Sequence, residues 1–378
     1  MRARSCRRKL RAVNVRVLHV DTERGWRGGE RQTLWLAREL ANRGHVSIVA
    51  ARRNEPLAER ARASGLEVVD CSPRSELDIV AALRLRQVIR EHGITVVHAH
   101  TAHAISVAAL ATLGFRVPLV VSRRVDFPLR ANIGTRWKYG RAAAIIAISG
   151  AVASVLERSG IAPHRIRVVP DGVDIHREVT TASGESLAAL GIPQGAPLVV
   201  QVAQLVGHKD PLNFVRAIAH VHAVSPNVHA LLVGDGPLRA DVEREVHELG
   251  LRDSVHVAGY RDDADSLLAA ATVATLSSRE EGMGSVLLDA LAFGRAIAAT
   301  RAGGIPEVII DGESGLLAEP RNPTALGDAI LRLLNDADLR DHVCANAPAR
   351  AAEFSVERMA DRTMSVYESV AVATDGRS

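Results

Sequence analysis

A chain of 378 residues is too long for one hydrophobic core and long enough for two, and its 47% apolar content holds no unbroken run near the roughly 20 residues that span a bilayer. The formal charge of +4 is owed to the start of the chain, where Arg2, Arg4, Arg7, Arg8, Lys9 and Arg11 leave the remainder slightly acidic; with only 3% aromatic residues, this excludes a nucleic-acid-binding module. Three scattered cysteines, Cys6, Cys71 and Cys344, form neither a disulfide framework nor a zinc site and suit a reducing cytoplasm.

The stretch MRARSCRRKLR lacks the apolar segment of a signal peptide and reads as a solvated, disordered tail over 1–13, with a peripheral contact to anionic membrane as the other use for its cations. VRVLHV (15–20) is a run of buried-strand type; the Gly-rich turn GWRGG follows, and ERQTLWLARELANRG forms an amphipathic helix closed by Gly44. Gly28 and Gly29 end that turn, where missing side chains let a ligand approach the backbone or simply let the chain turn. Further strands are expected at 46–50, 66–70, 95–100, 118–122, 143–149 and 166–170, with a helix in DIVAALRLRQVIREHG. The polar segment DGVDIHREVTTASGESLAALGIPQGAP marks an interdomain link, and strands resume at 197–203, 228–234, 255–259, 272–277 and 295–300, each alternating with a helix. Apolar runs separated by helical periods imply parallel sheets covered on both faces. The expectation is an α/β chain of two doubly wound, Rossmann-like domains, 14–175 and 176–355, with a ligand cleft between them at the carboxyl ends of the strands and a last helix over 356–378 crossing back to the first domain.

Chemistry concentrates in SSREEGMGSVLLDALAFGRAIAATRAGGIPEVIIDGESGLL (277–317). REEGMG lies between a predicted strand and a predicted helix, where backbone N–H groups at a helix start can bind phosphate. Glu281 stands before the turn and Asp289 in about the second helical turn; if the whole stretch were helical, the two carboxylates would lie on the order of 12 Å apart. That span fits a ligand with negative charge in its middle and hydroxyls at both ends, since carboxylates accept strongly from hydroxyls. Lys209, after the strand LVVQVA, is the natural cation for a leaving diphosphate. In HAHTAH, His98 and His100 share a strand face, but no acid or cysteine lies near in sequence, so His98 reads as structural and His100 or His103 as a polar contact to substrate, with no metal expected. DDAD (262–265) reads as a helix start, with Asp263 or Asp265 near the cap.

In this order, RGGERQTLWLARELANRGH, VVHAHTAH, VVPDGVD, VAQLVGHKD, LLVGDGPLR and EEGMGSVLLDALAFGRAIAATRAGGIPEVIIDGESGLLAEP resemble glycosyltransferase family 4, the retaining enzymes of GT-B architecture, over nearly the whole chain after the tail. The resemblance implies that Glu281 contacts hydroxyls of a donor sugar, that the Gly284 and Ser285 backbone meets a diphosphate, and that Asp289 grips a ribose, one methylene shorter than the family's Glu. It places Gly28 and Gly29 near donor phosphate or acceptor and Arg261 beside the nucleotide base. Gln204 stands where the family commonly has an Arg, a gap that Arg261 or Arg301 could fill. Arg123 or Arg124, where the family often has His, would touch an anionic acceptor or the donor phosphate.

The implied protein is a cytoplasmic enzyme, or one peripheral to the inner face of the membrane, that moves a sugar from a nucleotide-diphosphate sugar to a sugar or lipid-linked acceptor bound mainly by the first domain. It uses no metal and no cofactor, and the setting is cell-envelope polysaccharide, lipopolysaccharide or glycolipid synthesis. A nucleotide-sugar epimerase or a noncatalytic nucleotide-sugar-binding subunit would share the architecture. An NAD oxidoreductase would not fit, because GDGPLR departs from G-x-G-x-x-G at its last position.

Overall fold

The computed structural model describes residues 14–375; the basic stretch 1–13, with Cys6 and the expected tail and membrane contact, lies outside them. The strands are β1 (Arg16–Asp21), β2 (Val46–Ala51), β3 (Glu67–Asp70), β4 (Val96–Ala99), β5 (Leu119–Arg123), β6 (Ala144–Ala147), β7 (Ile166–Val168), β8 (Leu198–Val202), β9 (His229–Val233), β10 (Val255–Gly259), β11 (Val273–Leu276), β12 (Ala296–Thr300) and β13 (Leu316–Ala318). They form a seven-stranded sheet in the order β3-β2-β1-β4-β5-β6-β7 and a six-stranded sheet in the order β10-β9-β8-β11-β12-β13. Pairings from β3 to β5, and all those of the second sheet, are parallel. Two doubly wound parallel sheets are what the alternation of apolar runs and helical periods implies. In each sheet the chain winds outward from a central strand, β1 or β8, then restarts on its other side with β4 or β11. Connections there diverge and open a crevice at the carboxyl ends.

The strands form because short β-branched runs can be buried on both faces once helices cover them; β4 and β11 are buried along their whole length. In the second sheet's core, Phe214 on helix Pro211–Val224 packs with Leu326 and Ile330 of helix Pro323–Asn335. A fully buried phenylalanine contributes about 2 to 3 kcal/mol relative to an exposed one. By packing, the described residues divide into two compact units. One takes in those up to Arg123, Arg130–Ile146 and those from Ala360 onward; the other takes in Arg124–Leu129 and Ala147–Met359. No helix among the described residues is long and apolar enough to cross a membrane.

The structure departs from the sequence expectation at several points. Gly28 and Gly29 are the first two residues of helix Gly28–Asn42 rather than loop, and the left-handed residue of the preceding turn is Gly25. β4 ends at Ala99, so His100 lies beyond it. Helix Ile133–Arg141, capped by Asn132, was not foreseen because IGTRWKYGR has no apolar stripe and its Ile133 is 89% exposed. β13 is too short to show a period, and the segment read as an interdomain link contains a short helix, Gly184–Ala188.

Candidate active site

The second unit gathers the acid and the cation. After β8 the chain makes a single 3-10 turn, Gly207–Lys209, and Asp210 then caps helix Pro211–Val224. After β11, the Ser277 hydroxyl donates to the carbonyls of Lys209 (3.0 Å) and Asp210 (2.9 Å), while its N–H donates to Gln201 Oε1 at 3.0 Å. The Ser277 side chain therefore ties the main chain of the Lys209 turn to the segment that carries Glu281. Lys209 Nζ donates to Glu281 Oε2, and the Ser278 hydroxyl donates to the same oxygen at 3.0 Å. Burial works to raise the Glu281 pKa, but the Lys209 charge and these two hydrogen bonds outweigh it and hold the carboxyl below the ordinary carboxylate range. Glu281 is thus an ionised acid, 9% exposed, with its orientation set from two sides.

The backbone around Glu281 is strapped as well. The Gly304 N–H donates to the Glu281 carbonyl at 3.0 Å. Gly303 has φ +50, and a Cβ there would fall 1.8 Å from that carbonyl oxygen, so no other residue fits. Gly284 (φ +78) occupies the N-cap of helix Ser285–Ala292 and offers no side chain to its first N–H groups, which suits an anion at this helix start.

The other acid behaves differently. Asp289 lies in the second turn of that helix, 1% exposed, and its Oδ1 accepts from Arg177 Nη2 at 3.0 Å. Arg177 Nη1 donates to Asp265 at 2.7 Å, and its guanidinium lies 5.3 Å from the Phe293 ring centroid. The structure thus presents Asp289 as one side of a buried ion pair rather than an open acceptor. Arg261 is held bidentately by Asp263, at 2.7 Å for each bond. Asp263 is at the N-cap of helix Ala264–Ala269, but its side chain serves Arg261 and does not cap. Arg301 pairs with Asp311 and, at 3.7 Å, with Glu319. Gln204 is half-buried just beyond β8. Arg124 Nε donates to the buried Asp171 at 3.2 Å, which already balances its charge.

Sequence reasoning missed Arg177, Asp126 and Glu30. Asp126 is half-buried beside Glu281, and burial together with the Glu281 charge raises its pKa. The neighbouring Phe127 stands edge-on to His208, with 5.3 Å between centroids. Burial and the Lys209 charge lower the His208 pKa.

In the first unit, β1 and β4 bring His19 opposite His98 in register. His19 Nδ1 lies 3.1 Å from His100 Nε2, while His98 hydrogen-bonds Tyr367 Oη (2.6 Å) and Ser122 Oγ (2.8 Å). Among the described residues these three histidines are the group whose ligand atoms come within reach of one ion, all within 4.8 Å. Both His98 ring nitrogens are engaged by hydroxyls, and burial alone pushes the His19 pKa down to about 3. His100 is buried with it. His103 is exposed on helix Ala102–Ala111, 3.9 Å from Glu76. Beside Gly28 and Gly29, Glu30 is buried; its carboxylate accepts from the Arg27 N–H at 2.8 Å, and burial and Asp21 raise its pKa to about 7.

The family model described as Glycosyl transferases group 1 matches residues 183–350, and that described as Glycosyltransferase Family 4 matches residues 26–177. The chain is 32% identical over 260 residues to 2-deoxystreptamine glucosyltransferase of Streptomyces kanamyceticus, covering 67% of each chain. It is 30% identical over 374 residues to D-inositol 3-phosphate glycosyltransferase of Acidothermus cellulolyticus, covering 88% of this chain and 83% of that protein. Its fold is similar to that of HepE of Anabaena, solved in complex with UDP-glucose (TM-score 0.83, 22% identity, 94% of this chain and 99% of that one). Sucrose-phosphate synthase of Thermosynechococcus elongatus is also similar (TM-score 0.74, 19% identity, 95% and 100%).

Proposed function

Because the chain belongs to the group 1 and family 4 glycosyltransferases, of GT-B type, we propose that it moves a hexose from a nucleoside diphosphate sugar to an acceptor hydroxyl with retention of anomeric configuration. The observation that carries this reading is the pairing of Lys209 with the ionised, buried Glu281 beside a helix start that no side chain caps.

In this reading the donor diphosphate lies at Ser285, where Lys209 and the first helix N–H groups offset the charge that grows as the bond to the anomeric carbon breaks. Glu281 accepts from hydroxyls of the donor sugar, and Ser278 keeps its carboxylate aimed. The acceptor oxygen bonds the anomeric carbon on the face the diphosphate leaves, and a departing phosphate oxygen takes the acceptor proton. No metal enters the scheme, since fixed protein charge does what a divalent cation would do. The carbohydrate-modifying names of the relatives, and the UDP-glucose held by HepE, support a uridine donor and a polyhydroxylated acceptor. A role in cell-envelope polysaccharide, lipopolysaccharide or glycolipid synthesis, at the cytoplasmic face, belongs to the same proposal.

The test is transfer from a panel of nucleoside diphosphate sugars to cyclitol, sugar and lipid-linked acceptors in excess EDTA, with the product anomer read by NMR. Product of unchanged anomeric configuration is expected. Inverted product would refute retention, activity restored only by magnesium would refute the metal-free scheme, and interconversion of free donors would point to epimerisation.

A further inference from the structure

We propose that the first unit carries a docking face for an anionic lipid surface, formed by the exposed starts of helices Ile79–Glu91 and Ile133–Arg141. On the first helix Ile79, Val80 and Leu83, with Leu77 just before them, are each between 58% and 66% exposed. At about 100° per residue the three helical side chains share one arc, opposite the buried Leu85 that meets the core. On the second helix Ile133 and Trp137 stand one turn apart, 89% and 36% exposed. Apolar residues scattered singly over a surface need no explanation, whereas six gathered at two helix starts on one border mark a surface that something covers.

Three observations join the helices into one face. They follow β3 and β5, strands of one parallel series, so both helix starts lie at the carboxyl edge of the first sheet. Both pack on helix Ala102–Ala111, which sets them on the same side of that sheet. Lys138 Nζ donates to Glu76 Oε2 at 3.3 Å, and this brings Trp137 and Leu77, the sequence neighbours of the pair, to a common border.

Charge selects the occupant. Arg136 and Arg141 flank the row of Ile133 and Trp137 on either side, Arg130 precedes it and Arg74 precedes Leu77, all four exposed. The acids of the face are turned to other uses: Glu76 meets Lys138, and the Asp78 carboxylate accepts from the N–H groups of Arg74 and Ala81. Apolar side chains ringed by arginine, with a tryptophan at the rim, match the boundary between acyl chains and anionic headgroups. A second copy of the chain, joined by a two-fold contact, would instead set these arginines against their own kind.

The full chain is sedimented with vesicles of phosphatidylcholine alone and with phosphatidylglycerol added, without donor or acceptor, so that the outcome is independent of the transfer reaction. The variants are Leu83→Gln/Ile133→Gln, Arg136→Gln/Arg141→Gln, Trp137→Phe and a chain whose six basic residues in 1–13 are replaced by glutamine, each checked by thermal melting. Wild type is expected to bind the phosphatidylglycerol vesicles about tenfold or more tighter than the neutral ones, with a blue shift of tryptophan emission that Trp137→Phe abolishes. Each double variant should melt as wild type does and lose about tenfold in vesicle affinity, while the variant of 1–13 still binds and still shows the Trp137 shift. Equal binding to both vesicles, or no emission shift, would overturn the proposal. Binding that vanishes with the cations of 1–13 and ignores both double variants would assign the contact to that stretch instead. A dimer in sedimentation that Leu83→Gln/Ile133→Gln dissociates would give the face to a second copy and overturn it as well.

Discussion

Glu30 offers a measurement in which proton linkage can be read directly. The residue is 4% exposed, and burial, then Asp21, lift its pKa from 4.5 to about 7. At 1.36 kcal/mol per unit, that gap corresponds to roughly 3 kcal/mol. The folded pKa lies above the unfolded one, so the native state holds a proton that the unfolded chain has released. The stability due to the neutral acid is therefore fully present below pH 4.5, fades as pH rises toward 7, and is gone above it. Glu30→Gln keeps the shape and an oxygen to accept the Arg27 N–H, but it carries no proton to lose. We expect the melting temperature of Glu30→Gln relative to wild type to be higher at pH 8 than at pH 4.5, by about 6 to 12 °C for units of this size. Calorimetric melting of both proteins at the two pH values measures it. An offset that does not change with pH, or one that falls at pH 8, would refute the assignment of a raised pKa to this carboxyl.

Gly303→Ala places a Cβ 1.8 Å from the Glu281 carbonyl at a left-handed position; it should cost about 2 to 4 kcal/mol and disturb the site, read as lower melting together with lost turnover. Glu281→Gln should fold normally and lose roughly a hundredfold or more in turnover, because it keeps the shape and removes the charge that Lys209 faces. Wild-type turnover in a clean transfer assay would contradict the role. In Lys209→Ala the buried Glu281 loses its cation, so its pKa should rise and the acid limb of any residual pH–rate profile should move upward; an unmoved limb would assign that limb to another group.

The fold was legible because parallel sheets need apolar runs of strand length and the connecting helices need their own period; VRVLHV and TVATLS carry the first signal and ERQTLWLARELANRG the second. The helix Ile133–Arg141 was not legible, since its outward Ile133 and two glycines break the period a core-facing helix shows. At the site, Glu281, Gly284 and Asp289 could be found because they sit within nine residues of each other on one strand–turn–helix step. Lys209 could be found because it follows the strand LVVQVA within one short loop. The Arg177 pair could not, because its partner lies 112 residues away and a linker arginine has no local signal. The same limit applies to His19, which joins His98 and His100 only through the β1–β4 register, and to Asp126, placed beside Glu281 by tertiary packing alone.

The strap at Gly303 and Gly304 also bears on how this region can change length. A backbone bond from Gly304 to the Glu281 carbonyl closes a ring of chain that contains helix Ser285–Ala292 and β12. One residue added inside the ring would rotate the helix start by about 100° or slip β12 by one side chain. Either shift would carry the wrong atoms to the carbonyl that Gly303 must approach. Insertions and deletions should therefore be rejected between 281 and 304 and tolerated at 178–181, beyond Arg177, where the chain runs without strand or helix. A library of single-residue insertions, scored for folded protein, would trace that ring as a stretch of intolerance with sharp ends.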